Sequence, residues 1–145
     1  MGNQIETPLM EIWETEEEKG LSAGDLKNKY YNLARERISQ NPLIVVINKE
    51  KKWQIELSRR VIAEWRVKSR TRERILSIQL LEAMITEAKY IKTVDDLKNT
   101  SGIESVSYFE NQCKINGKIF KINITIKTQT LNKRRFAYYY SAIEI

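Results

Sequence analysis

The apolar positions of this chain change period from segment to segment. Leu43 to Ile47 is a continuous apolar run, read as a buried strand from its length and β-branching. Trp53, Ile55 and Leu57 then alternate with Gln54 and Glu56, the two-residue period of a half-buried strand. Asn48–Lys52 between them is polar and reads as a turn. Residues 43–57 therefore predict a β-hairpin, with a helix starting at Trp53 as the competing reading.

Helical spacing flanks this hairpin. Thr7-Pro8 has the form of an N-cap followed by proline at the first helical position, and Leu9, Ile12 and Trp13 form a short stripe that ends by Gly20. Ser22 to Asp25 can cap a second helix with Leu26, Tyr30, Leu33 and Arg37 on one stripe, and Asn41-Pro42 breaks it. Beyond the hairpin, Ser58 can cap a helix over Arg59–Arg66. A longer amphipathic helix is predicted from Thr71 to Tyr90, with Ile75, Ile78, Leu81, Ile85 and Ala88 inward. Thr93–Leu97 reads as a further turn of helix and Asn99–Gly102 as a loop.

The last quarter is β-rich. Asn116-Gly117 between two apolar-rich runs is a strong hairpin signal. A third run follows the loop Thr130–Lys133. Alternation puts Phe120, Ile122, Ile124 and Ile126 on the core face and Lys121, Asn123, Thr125 and Lys127 on the other. It also sets Tyr139 opposite Tyr138 and Tyr140. The order αα-ββ-αα-βββ argues an α+β fold. N-terminal helices lead into a β-hairpin, then further helices, then a C-terminal three-strand antiparallel meander, all in one sheet packed against helices.

Composition narrows the chemistry. At 145 residues the chain suits one domain, and no repeat is visible. Histidine is absent, which removes the usual metal ligand and the usual general acid–base. Cys113 stands alone, so no disulfide can form within the chain, and a reducing, cytoplasmic setting is expected. No apolar run is long enough to span a bilayer, and the acidic N-terminal segment lacks a signal-peptide core. There is no Gly-rich phosphate loop, no Ser-His-Asp set and no paired carboxylate. No metal and no cofactor are implied. Trp53 and Trp65 fall on the apolar patterns and read as packing residues.

The net charge of +6 favours nucleic acid or an acidic protein as partner. Ten Lys and Arg lie between Lys49 and Arg74, against four Glu. From this region Arg59, Arg60, Arg66, Lys68 and Arg70, with Lys121 further on, are candidate contacts to a phosphate backbone. The alternative is a solvated helix surface, or a dock for the acidic N-terminal segment, which holds six Glu against Lys19 up to residue 20. Such docking would mask the basic middle.

The polar side of the meander offers a second set. Tyr108, Lys127, Arg134, Arg135, Tyr139 and Ser141 can lie close together on adjacent strands. Lys and Arg stabilise charge developing on a phosphate, and Tyr or Lys can move protons where histidine is missing. Exposed tyrosines beside Arg134 and Arg135 can equally stack on bases or anchor a protein. An open sheet face with cross-strand tyrosine pairs is the plain alternative.

From Leu43 to Ile145 the chain resembles a phage-associated group within the barnase–EndoU–colicin–RelE-like nuclease superfamily, found as domains of phage head-morphogenesis (MuF-type) and large polyvalent proteins. The resemblance rests on Ile55–Arg59, Leu80–Lys89, Val106–Phe109, Ile115–Phe120 and Tyr138–Ile143. It implies a helical extension over residues 1–40 and a nuclease-fold domain over 41–145. It also implies a toxin-like ribonuclease acting without metal in a bacterial host cytoplasm. Where that group often carries histidines, this chain has Ser107 and Ser141. What the resemblance leaves is cleavage by Lys, Arg and Tyr, with Tyr108, Lys127, Arg134, Arg135, Tyr139 and Ser141 as the catalytic set. The alternative is a catalytically inactive module that binds nucleic acid or a protein such as a host-defence or phage-head component.

Overall fold

The computed structural model describes residues 9–40, 44–96 and 102–145. Its elements run in chain order as β1 (Met10–Ile12), α1 (Glu16–Lys19), α2 (Ala23–Gln40), β2 (Ile44–Ile47), β3 (Gln54–Leu57) and α3 (Arg59–Lys68). Then follow α4 (Arg72–Leu76), a 3-10 turn (Ser77–Leu80), α5 (Leu81–Glu87), β4 (Lys89–Asp95), β5 (Ile103–Ile115), β6 (Lys118–Gln129) and β7 (Arg135–Glu144).

The expected fold is corrected on its main point. The sheet is not a three-strand meander with helices laid on it, nor is it purely antiparallel. It has seven strands in the order β1-β5-β6-β7-β3-β2, with β4 also paired to β5. Strand β1 runs parallel to β5 and β3 parallel to β7. β5, β6 and β7 are long and dominate the molecule. The Asn116-Gly117 turn has left-handed φ at both positions, 52° and 81°, the geometry a two-residue hairpin needs.

The sheet curls until its far ends meet across the inside. Trp53, just before β3, contacts Tyr90 of β4 and Phe109 of β5 edge to face, with ring centroids 6.0 and 5.8 Å away. Buried Asn48 closes the same seam, its amide donating to the carbonyls of Ile85 (2.8 Å) and Ala88 (3.0 Å). The inner side chains of β5–β7 share one core with Leu26, Tyr30, Ile38, Trp65, Leu76 and Met84 of the helices. The opposite, outer face of β5, β6 and β7 carries no fully buried residue.

Several local expectations change for physical reasons. Residues 10–12 form a strand where helix was expected, because the open edge of β5 at Cys113–Ile115 offers them backbone partners. Only Glu16–Lys19 is helical there, capped by Thr15 in a capping box with Glu18; Thr7-Pro8 lies outside the described residues. In α2 the buried stripe is Leu26, Tyr30 and Ile38, while Leu33 is exposed and Arg37 pairs with Glu82. Strand β2 is an outer strand with Val45 and Ile47 exposed, not a strand buried on both faces. The long helix expected to Tyr90 breaks at the 3-10 turn and stops at Glu87, although Ile75, Ile78, Leu81, Ile85 and Ala88 are all buried. Thr93–Asp95 belongs to β4, not to a helical turn, because its backbone pairs with Ser105–Ser107. The Asn41-Pro42 break, Leu43, Leu97 and Asn99–Ser101 lie outside the described residues.

Candidate nucleic-acid interface

Register places the outer-face residues. Tyr108 of β5, Thr125 of β6 and Tyr139 of β7 are direct cross-strand partners and form one row. Lys92 of β4 pairs beside Tyr108, with its Nζ 5.7 Å from the ring centroid. Lys127 stands one row on from Thr125, between Val106 and Phe136.

A β-bulge decides where the tyrosine triplet points. Thr125 pairs with Tyr139 and Ile126 with Ala137, so Tyr138 is the extra residue. Strict alternation would put Tyr138 on the same face as Tyr140. With the bulge, Tyr140 is fully buried while Tyr138 and Tyr139 are only half-buried. The Tyr140 hydroxyl donates to the Ser77 carbonyl at 3.0 Å, and burial pushes its titration up. Tyr138 sits beneath Lys127, whose Nζ is 3.3 Å from the ring centroid. Its hydroxyl accepts from Arg60 at 2.7 Å. The outer face thus gathers Tyr108, Tyr139 and Tyr138 with Lys92, Lys127 and Arg60.

The candidate catalytic set does not assemble. Tyr108, Lys127 and Tyr139 share the outer face, and Ser141 follows Tyr139 opposite Asn123. Arg134 is at the exposed end of the β6–β7 loop, where Glu56 accepts from its Nε at 2.7 Å. That carboxylate also raises the guanidinium's pKa. Arg135 faces inward instead, 4.0 Å from the centroid of the Trp53 ring. Ser107 is buried on the inner face and bonded to Thr93, so Ser107 and Ser141 lie on opposite faces of the sheet.

The basic middle is also divided. Arg59, Arg66, Lys68 and Arg70 are exposed on or just after α3, with Arg66 stacked 4.2 Å from Tyr31 and bonded to Asn28. Arg60 alone of this group reaches the outer sheet face. Lys121 pairs with Glu110 at 3.1 Å, beside a groove of about 830 Å³ where Lys49 is likewise paired with Glu87. Arg72 binds the acidic segment, donating to Glu14 at 2.7 Å and to the Glu18 carbonyl at 2.7 Å.

Lys92 was not legible as a site residue because Thr93–Leu97 reads as helix. The run Tyr90-Ile91-Lys92-Thr93-Val94 carries a strand signal in its β-branching. Among the described residues there is no group of His, Cys, Asp and Glu that could hold a metal ion, and no helix long and apolar enough to cross a membrane.

These features describe a small domain built on a curled mixed sheet, with helices filling its inner side and an aromatic, basic outer face. Residues 22–139 match the family described as large polyvalent protein-associated domain 3 (LPD3), and the chain belongs to that family. The match supports a phage-associated domain and leaves the nuclease superfamily without support. No curated protein and no solved structure matches the chain.

Proposed function

We propose that this domain binds single-stranded nucleic acid, RNA first among the candidates, on the outer face of its sheet. The observation that carries the reading is the row Tyr108–Thr125–Tyr139 with Lys92 and Lys127 beside it and Arg60 at the bulge. Ring faces offer stacking that tolerates any base, worth roughly 1–3 kcal/mol per base. The cations supply phosphate contacts. The nearby carboxylates are already engaged, Glu110 with Lys121, Glu56 with Arg134 and Glu64 with Arg60 at 3.5 Å, so Lys92 and Lys127 are the uncompensated cations of the face and Arg60 is a partly neutralised one.

Binding is favoured over cleavage because the arginines expected to hold the phosphate are separated. Arg134 is held by Glu56 outside and Arg135 is stacked on Trp53 inside. An open, solvated sheet face also lacks the water-excluded setting that makes charge stabilisation effective.

The test is fluorescence anisotropy of a labelled single-stranded oligonucleotide with the full chain and with a Tyr108→Ala/Tyr139→Ala variant. Affinity should fall by roughly tenfold or more in the variant and decline steeply with salt. Absence of binding at low salt, or binding indifferent to both tyrosines, overturns the reading. Capture of a protein partner by the same face, insensitive to salt, would replace it with a protein interface.

A further inference from the structure

A second group of cations lies on the inner face, where the curled sheet closes. Arg135 is the direct cross-strand partner of Thr128, and its guanidinium carbon is 4.0 Å from the centroid of the Trp53 ring. Its Nε is buried and has no hydrogen-bond partner. Lys51 stacks from the hairpin turn, 4.3 Å from the Tyr90 ring and 5.4 Å from the Trp53 ring. Among the described residues neither cation pairs with a carboxylate. The neighbouring Glu50 carboxylate accepts from the Tyr90 amide at 2.9 Å.

The platform under these cations is a cluster of three rings. Trp53, Tyr90 and Phe109 meet edge to face in all three pairs, Tyr90 and Phe109 at 5.5 Å. From Tyr90 a chain of hydroxyls runs inward: Tyr90 to Thr93 at 2.6 Å, then Thr93 to Ser107 at 2.9 Å. Each hydroxyl carries one proton, and the two bonds use two of the three. One proton remains available, on Tyr90, Thr93 or Ser107 according to the direction of the two bonds. Thr93 itself is exposed, so the chain is reachable from solvent.

A buried guanidinium N–H without an acceptor is a cost that native proteins rarely leave standing. A cation stacked on an aromatic face keeps its in-plane N–H groups available, and those groups match the oxygens of a phosphate. We propose that this mouth binds a phosphate group, with Arg135 and Lys51 as its positive charges and the Tyr90–Thr93–Ser107 chain as a neutral donor. The site faces the interior of the curl and is independent of the outer face. The phosphate can be free or carried on a polynucleotide, since both present the same oxygens.

Thermal melting of the full chain in inorganic phosphate, against sodium chloride at equal ionic strength, reads the site directly. Phosphate should raise the midpoint where chloride does not. The apparent phosphate affinity should fall by roughly tenfold or more in Arg135→Gln, the loss expected for charge-assisted hydrogen bonds. It should also fall in Lys51→Gln and stay unchanged in Arg134→Gln and in Tyr108→Ala/Tyr139→Ala. Equal stabilisation by chloride, or full affinity in a folded Arg135→Gln, overturns the proposal. Should Arg135→Gln not fold, Arg135→Lys keeps the charge but loses the planar fork, and undiminished phosphate affinity in it overturns the proposal instead. Competition between an oligonucleotide and phosphate would identify polynucleotide as the source; phosphate binding without competition would identify a free phosphate. Either result upholds the site.

Discussion

The two faces of the sheet use the same strands for opposite purposes. On β6 the inward residues Phe120, Ile122, Ile124 and Ile126 are all buried, while Lys121, Asn123, Thr125 and Lys127 between them are not. Asn48, Tyr140 and Ser107 reach the inside with specific partners: Asn48 satisfies two carbonyls, Tyr140 a third, and Ser107 joins a hydroxyl chain, whereas the Arg135 Nε is buried without one. Outside, cations lie over rings and carboxylates engage cations at the surface. The inner face derives stability from burial, and the outer face can change with little effect on it. The outer face is therefore free to vary for recognition, while on the inner face the packed strand interiors hold the fold and only the rim at Arg135 and Lys51 is left for a ligand.

The sharpest way to break this contrast is to cut neighbouring residues on one strand. Ile124→Ala should lose about 2–5 kcal/mol, since the side chain is 1% exposed and its removal leaves a cavity. Thr125→Ala, one residue on and facing outward, should stay within about 0.5 kcal/mol of the parent. Urea denaturation of both variants checks it. Similar losses in the two would mean that the outer face is structural after all.

Glu18 gives the next largest effect, because it brings a charge to the inner side. It is 2% exposed and accepts from the Tyr30 hydroxyl, the Thr15 amide and Lys29. Burial alone would raise its pKa. The hydrogen bonds, from Tyr30 first and then the Thr15 amide and Lys29, outweigh burial and hold it down to about 2, from an ordinary 4.5. A carboxylate depressed in the folded state contributes stability that is complete above its unfolded pKa and disappears as pH falls through its folded one. The parent should therefore lose stability between pH 4.5 and about 2. Glu18→Gln should be less stable by roughly 2 kcal/mol near neutrality and show a flatter profile across that window. Parallel profiles in the two proteins would remove Glu18 as the cause. Tyr140→Phe should follow at about 1 kcal/mol, the net worth of its hydrogen bond to the Ser77 carbonyl. Chemical denaturation with unchanged m-value checks it.

Legibility in the sequence followed the range of the forces involved. The alternation of β6 and the Asn116-Gly117 turn were readable because period and turn chemistry are local properties. The β4 strand was not: it pairs with the next strand, but its polar Thr93–Asp96 stretch reads as a helical turn until the partner is in place. Nor was the β1 strand, because backbone pairing to β5 about a hundred residues on makes it. The same held for the parallel pairing of β3 with β7. Within the candidate site, Tyr108, Lys127 and Tyr139 share the outer face, while Arg134 and Arg135, expected beside them, are drawn apart by Glu56 and Trp53, whose positions no local pattern gives. The bulge at Tyr138 carries no local signal, and one inserted residue changes which face its side chain joins. Strands that carry an apolar period, the edge strand β2 included, are thus open to pattern reading, and the choice of partner and direction is not.

The smallest effect expected tests the outer face from its rim. Arg134 is exposed at the end of the β6–β7 loop, and Glu56 holds its guanidinium. An exposed ion pair spends most of its attraction on ordering two side chains and on screening by salt. Arg134→Ala should leave the thermal midpoint essentially unmoved. Its effect on oligonucleotide affinity should also be slight, because removing the arginine releases a carboxylate at the rim and leaves the Tyr108–Tyr139 row and Lys127 untouched. Anisotropy titrations of Arg134→Ala and Lys127→Ala at one low salt concentration make the comparison. Lys127→Ala should weaken binding more than Arg134→Ala does. The reverse order would move the interface off the sheet face and onto the β6–β7 loop, where Leu131 is 98% exposed beside Lys133 and Arg134.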